Sequence, residues 1–494
     1  MSDNVLVERL RRHLAILPVL AAAVALRVYF LHTYPYAFFF PDSRAYVATA
    51  ADRTPYTVRP YGYSWLLQPF VNDPHIGVAV AQHLAGVALV PIGYAFLVHR
   101  KVRPWLAALA MVPFALDARE ITLEHYVLAE TAFVVATAAG LFLLAWRDRL
   151  GWVGAALGGL ALSFAAITRT VGLPVLALVA AYLLVRRVGW LRLVAFALPV
   201  VAVLGGYVTW YHEYHGVYAF GQYQGRFLYA RVMPIVDCDR LALTTRQRTL
   251  CMPDPPADWK QRPDQYIWSA LSPSRRLYAN ERYDKFLGDF ASTVIRQESG
   301  AYLAMVAEET SWHLRLHAPV TGQAECLTRQ WLPPATPGAP CVPRYYLPTF
   351  TPGGQPPQPF LVTTADTRRL EAYGRFATTP GPLYAIGVVV AVFAALWRPR
   401  RRPWRDAADG LLFAGAGFAL IVISVATSLF DYRYGVPAVL LIPVGLALSI
   451  TRLTSTGATS TIEPTSGDAE TASESGQPCP TNTETSKSAS CSPA

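Results

Sequence analysis

The sequence predicts an all-α polytopic membrane protein with about ten transmembrane helices and a large, disulfide-stapled extracytoplasmic loop domain. Three observations lead there. Of 494 residues, 53% are hydrophobic and only 15% charged. The mean hydropathy is positive. Long apolar runs recur along the chain, punctuated by clusters of arginine. A soluble domain of this length has no means of hiding so much apolar surface.

Ten apolar segments are expected to cross the bilayer, over residues 14–31, 76–98, 105–116, 127–146, 152–167, 173–185, 193–211, 383–397, 411–429 and 436–450. A crossing helix needs roughly 17–25 residues, so the third and sixth must borrow polar flanks. The first is too long for a signal peptide and lacks a clear small-residue cleavage site, so it reads as a retained helix. Arg27, near its outer end, is expected to snorkel toward water.

Charge sets the orientation, because Lys and Arg remain on the cytoplasmic side during insertion. Alternate connections carry Arg9, Arg11 and Arg12, then Arg100, Lys101 and Arg103, then Arg147 and Arg149, then Arg186 and Arg187, then the run around Arg400. All fall on one side, which places both termini in the cytoplasm. The net charge of +10 is largely housed in these loops, where orientation and anionic lipid headgroups account for it. No basic stripe interleaved with stacking aromatics points to nucleic acid.

The chain divides into an N-terminal membrane core, 1–211, with a first outer loop at 32–75; an extracytoplasmic loop domain, 212–382; C-terminal membrane helices, 383–450; and a tail, 451–494. The loop domain holds Cys238, Cys251, Cys326 and Cys341. In an oxidising compartment, without C-x-x-C spacing, two disulfides are the expectation, and Cys238–Cys251 with Cys326–Cys341 is the simplest of three connectivities. Within the domain, the stretch 272–313 is expected to be helical, with apolar positions recurring at Leu287, Phe290, Val294 and Ile295. The stretch 331–360, dense in Pro and Gly, predicts irregular structure. The tail is rich in Ser, Thr and Glu and lacks the apolar residues for a core.

The candidate site lies on the outer side. Asp42 follows the first helix, in Phe40-Pro41-Asp42-Ser43. Asp117, Glu120 and Glu124 follow the third, and Arg59, Arg169 and Arg433 stand at outer loops or helix ends. Pro-Asp-Ser is also a good helix start, so a capping role for Asp42 is the plain alternative. Arg433 has Asp431 as a neighbouring partner, and Glu130 falls inside the fourth apolar segment, where an acid is expensive and lines a cavity. Carboxylates facing guanidinium groups at a membrane surface combine what transfer from a lipid phosphate requires: a base for a hydroxyl and cations for the phosphate.

Leu26-Arg27-Val28-Tyr29, Pro41-Asp42-Ser43 with Tyr46, and Arg59-Pro60-Tyr61-Gly62 resemble the opening of the GT-C superfamily of polyprenyl-phosphate-sugar-dependent glycosyltransferases, the class whose membrane cores include protein mannosyltransferases and aminoarabinose transferases. Leu123-Glu124-His125-Tyr126, Thr168-Arg169-Thr170-Val171-Gly172-Leu173 and Asp431-Tyr432-Arg433-Tyr434-Gly435-Val436-Pro437 extend the resemblance through the membrane core. The resemblance implies inverting transfer of one sugar from a polyprenyl phosphate to an acceptor hydroxyl on a glycan, lipid or protein, at the extracytoplasmic face of the cell membrane, in envelope glycan or glycoprotein synthesis. By position it makes Asp42 the general base; because the leaving phosphate gains charge, Arg433, Arg169 and Arg59 are the candidate phosphate-binding cations. Several members have Asp-Glu where this chain has Asp42-Ser43, so Asp117, Glu120 and Glu124 are expected to supply a second carboxylate, with Mg or Mn as the candidate metal. Two other classes fit outer-facing charges: a transporter of lipid-linked sugars or solutes, and a non-catalytic scaffold for envelope assembly. The first lacks the repeated broken helices of transporters; the second predicts that Asp42 is dispensable.

Overall fold

The computed structural model describes residues 13–71, 76–335, 362–397 and 405–454. Among them there is no strand, only one isolated parallel bridge between Phe38 and Tyr126. Helices coincide with all ten apolar segments: α1 (Ile16–Thr33), α4 (Gly77–His99), α5 (Pro104–Leu116), α7 (Glu130–Ala145), α8 (Trp152–Thr168), α9 (Gly172–Val185), α10 (Trp190–His215), α15 (Gly381–Leu396), α16 (Arg405–Thr427) and α17 (Val436–Thr454). Between them stand α2 (Pro41–Asp52), α3 (Gly62–Leu67), α6 (Ala118–His125), α11 (Gln224–Val232), α12 (Asp284–Gln297), α13 (Ser299–His313) and α14 (Ala365–Phe376). Among the described residues, six helical stretches are long and apolar enough to cross a membrane; α5, α7, α8 and α9 are shorter apolar helices. The protein is a multi-pass membrane protein.

Helix α17 is the hub. It is buried almost all round and packs on α16, α15 and α5. Small residues permit the closest approach: a Cβ on Gly445 would stand 2.5 Å from the Ala414 nitrogen, the close backbone contact that membrane helices use in place of a hydrophobic driving force. By contrast α10 has only Phe196, Tyr207 and Tyr211 buried, as a helix facing lipid on most sides would.

One end of the bundle is strapped by charge. Arg100 bonds Asp148 and Asp409, each at 2.5 Å. Tyr182 donates to Asp409 at 2.7 Å, and Arg186 stands 3.4 Å from it. The start of α7, the ends of α8 and α16 and the start of α17 converge at the other end, where Asp42 lies.

The first helix turns its arginine inward. Arg27 is 2% exposed and meets Glu124 through two bonds of 2.7 Å, with a third to the Ala115 carbonyl at 2.8 Å. Snorkelling is therefore replaced by a bidentate pair, because α6 brings a carboxylate within reach. His83 adds a bond to Glu124 at 2.7 Å, then contacts His125 at 3.0 Å, and His125 reaches the Tyr36 carbonyl at 2.8 Å. Gly86 leaves the room this needs: a Cβ there would fall 1.9 Å from a Glu124 oxygen. The chain of bonds ties α1, α4 and α6 to the first outer loop.

The loop domain has its own core of Tyr229, Trp259, Tyr266, Leu287, Phe290 and Val294. Leu287, Phe290 and Val294 line the buried face of α12 as their spacing predicts, but the expected stretch 272–313 is not one helix: it breaks after Leu277 and again at Glu298. Cys238 and Cys251 are bonded. Cys341 of the second expected pair lies outside the described residues, as do tail residues 455–494 with Cys479 and Cys491 and most of the irregular stretch 331–360; the first four tail residues instead continue α17.

Removing one member of a buried, bidentate ion pair leaves the other charge stranded, which costs about 3–5 kcal/mol. Glu124→Ala should therefore lower thermal stability in detergent markedly, and Arg27→Met with Glu124→Leu should recover most of it. A single variant that melts like wild type would show that the pair does not hold the bundle.

Candidate active site

The backbone delivers Asp42 through two short-range devices. The extended segment before it is pinned to the second outer loop, with Phe38 N–H donating to the His125 carbonyl at 2.8 Å and Val127 N–H donating to the Phe38 carbonyl at 2.9 Å. Helix α2 then opens at Pro41, whose fixed φ suits a first helical position, and Ser43 Oγ accepts from Phe40 N–H at 2.9 Å. Ser43, rather than Asp42, thus serves the helix start. The Asp42 carboxylate is left to face the bundle.

It meets two cations. Arg59 Nη2 lies 3.1 and 3.0 Å from the two Asp42 oxygens, and Arg433 Nη2 lies 3.2 Å from Oδ2. Burial alone would raise the Asp42 carboxyl, but the charges of Arg59 and Arg433 outweigh it and hold it below its ordinary value. The Asp42 side chain keeps 12% exposure and that of Arg59 23%, so the pair remains open to a ligand.

Arg433 is also bonded through Nε to Glu130 Oε1, and Arg169 Nη1 reaches the same oxygen. Its guanidinium is held 5.3 Å from the ring centres of both Phe40 and Trp331, a stacking arrangement that fixes its plane. Asp431 does not pair with the Arg433 guanidinium. It accepts from the Arg433 backbone N–H at 2.9 Å and from Trp331 Nε1 at 2.5 Å, so it shapes the turn that presents the arginine.

Beside these groups is a cavity of about 440 Å³, lined by Arg59, Arg169 and Arg433 together with Tyr46, Phe227 and Leu173. Its wall is mixed: membrane helices supply Leu173, Pro174 and Ile423, and the loop domain supplies Tyr223, Gln224, Phe227 and Leu228. The Arg59 guanidinium sits 5.2 Å from the Phe227 ring centre. Part of the Tyr-rich run at 218–229 therefore borders the site, while Tyr218 stands 70% exposed outside it.

Of the residues expected to act together, the structure gathers Asp42, Arg59, Arg169 and Arg433. It does not gather Asp117, Glu120 or Glu124 with them. Asp117 caps α6 by accepting from the N–H groups of Arg119 and Glu120, and accepts from Thr379 N–H at 2.5 Å. Glu124 is committed to Arg27 and His83. Glu120 is 1% exposed and raised well above its ordinary value by burial and by the neighbouring Glu124 charge. The second carboxylate at the site is Glu130. The signal was in the sequence, an acid opening an otherwise apolar run, but a period of 3.6 alone does not tell which cavity an inward face meets.

The donor set does not compose a cation site. Among the described residues no group of three His, Cys, Asp or Glu side chains is placed to hold a metal ion, and both site carboxylates are met by guanidinium groups. The residues present do not fit the Mg or Mn that the resemblance allowed for.

Burial pushes Asp431 up to about 7 against the lowering effect of Arg433 and Trp331. Its folded value thus exceeds its unfolded one, so the folded state binds the extra proton and stability falls as pH rises from about 4 to about 7. Asp431→Asn keeps the acceptor oxygen and should flatten thermal stability across that window. An unchanged pH dependence in this variant would contradict the assignment.

Residues 60–223 match the model of the dolichyl-phosphate-mannose-protein mannosyltransferase family. The stretch takes in Glu130 and Arg169 and stops short of Asp42, Arg59 and Arg433. No curated protein and no solved structure matches the chain. With carboxylates set against arginines beside a cavity walled by membrane helices, the matched stretch agrees with the resemblance read from the motifs: over residues 60–223 the chain is similar to the dolichyl-phosphate-mannose-protein mannosyltransferases.

Proposed function

We propose that the protein is a membrane glycosyltransferase that moves one sugar from a polyprenyl-phosphate donor to an acceptor hydroxyl, with Asp42 as general base and Arg433, Arg59 and Arg169 as the phosphate-binding cations. The observation that carries this reading is Arg433, which bridges Asp42 and Glu130 on the wall of the cavity. The family match supports the donor class and, by its description, a mannosyl unit and a protein acceptor.

Charge supports the donor as well. Three guanidinium groups face two carboxylates, leaving one positive charge, which the single negative charge of a phosphodiester neutralises. In the transfer, the acceptor O–H gives its proton to Asp42 while its oxygen forms a bond to the anomeric carbon. The bond from that carbon to the phosphate oxygen breaks, and its electron pair stays on the phosphate. The leaving phosphate gains the charge that Asp42 loses, so the net charge of the site is conserved along the reaction. A single displacement of this kind inverts the anomeric centre. Guanidinium groups already in place stabilise the charge as it develops, without reorganising at the moment of reaction.

Clamped by two cations, the Asp42 carboxylate is a weak base. A bound phosphate competes for Arg59 and Arg433, and loosening that clamp raises the basicity of Asp42 toward the range useful for proton transfer. Donor binding thereby prepares the base that the acceptor needs. The site faces the extracytoplasmic side in this reading, because the arginine-rich connections lie at the opposite end of the bundle.

The test is transfer of labelled sugar from a panel of polyprenyl-phosphate donors, mannosyl first, to a lysate-derived acceptor mixture. Asp42→Asn is expected to lose transfer by about 10²–10⁴-fold while still binding donor, and Arg433→Gln to lose both. Equal transfer by wild type and Asp42→Asn would remove Asp42 from the mechanism. No transfer from any donor would remove the enzyme reading.

A further inference from the structure

Glu130 is 2% exposed and begins α7, where the helix N-terminus favours a carboxylate. One of its oxygens, Oε1, receives both Arg169 Nη1 and Arg433 Nε, whereas Oε2 is buried with no partner among the described residues. A carboxylate that served only to neutralise charge would gain from spreading two guanidinium groups over two oxygens. Here they converge on one. The two arginines come from different helix ends, Arg169 after α8 and Arg433 before α17, and both continue into the wall of the large cavity. The same Arg433 guanidinium donates through its neighbouring Nη2 to Asp42. Aromatic rings restrict it further, with the Tyr434 ring centre 5.4 Å from Arg169 and 6.0 Å from Arg433.

We propose that Glu130 is a positioning residue that gathers Arg169 and Arg433 on a single oxygen, fixing the spacing of a two-guanidinium clamp for the donor's phosphate. The inference rests on the donor reading above and adds the group that sets the clamp. It also accounts for a buried acid at a helix start: an apolar residue would satisfy packing at less desolvation cost, but would leave two long, rotamer-rich side chains to find one geometry on their own. Glu130 removes that freedom before the ligand arrives, which is the general route by which preorganisation raises affinity.

The sign of the effect separates positioning from bulk charge. Neutralising Glu130 makes the site more positive, so charge alone predicts tighter binding of an anion; loss of the clamp predicts weaker binding. The probes are decaprenyl monophosphate, the product left when any decaprenyl-phosphate sugar has reacted, and decaprenol, which shares its hydrocarbon and lacks the phosphate. Both are titrated against the full chain in detergent, with melting temperature recorded in parallel. Wild type should prefer the monophosphate, and Glu130→Gln should reduce that preference about tenfold with decaprenol binding unchanged. A preference that is equal or greater in Glu130→Gln overturns the inference. Should Glu130→Gln fail to fold, Glu130→Asp keeps the charge on a shorter stem, and it should show a reduced preference; full wild-type preference in that variant overturns the inference too. Wild type that binds monophosphate no better than decaprenol overturns the donor reading itself, and the inference with it.

Discussion

The site depends on one guanidinium group meeting two carboxylates. Arg433 bonds Glu130 through Nε and Asp42 through Nη2, and it is 5% exposed. Taking three such charges out of water costs several kcal/mol each even after relaxation, so the arrangement persists only because their mutual attraction and the surrounding hydrogen bonds offset that cost. A charge cluster held this way is poised. In the proposed donor complex, the phosphate would meet cations that are already desolvated and oriented.

Most of the nearby structure serves to hold that cluster still. The first outer loop is pinned by the Phe38 bridge and by the relay from Arg27 through Glu124, His83 and His125 to Tyr36. The loop domain is fastened close by: Arg231 bonds Glu309 at 2.7 Å, and Glu309 accepts from Phe430 N–H at 3.0 Å, three residues before Arg433. Trp331 and Asp431 then fix the turn itself. The loop domain is thus part of the site's wall and of its support, which joins it to the membrane helices in one device.

The helices were legible because apolar length is a local property. Alternation of arginine-rich connections also placed Asp42, Arg59, Arg169 and Arg433 toward one end, and the structure gathers them there. Cations at the end of the bundle away from the arginine-rich connections are a signal that charge patterning alone can pick out. What the sequence did not disclose was distance. Glu124 and Glu130 are six residues apart, yet the first turns to Arg27 and the second to Arg433, and only the packing of α1 against its neighbours decides which arginine each acid meets. Arg27 failed as a snorkelling residue for the same reason: without the fold, nothing reveals a partner 97 positions away. The loop acids Asp117 and Glu120 went to capping and to the buried interior, roles that charge and sidedness alone do not separate from chemistry.

The most direct measurement is a structure of the full chain in a lipid nanodisc with decaprenyl monophosphate bound. The account predicts phosphate oxygens within hydrogen-bond distance of Arg433 and Arg59, Glu130 still on Arg433, and the Asp42 carboxylate released from its cations and turned to the open side of the cavity. Phosphate bound elsewhere, with the Asp42–Arg433 pair intact, would contradict it.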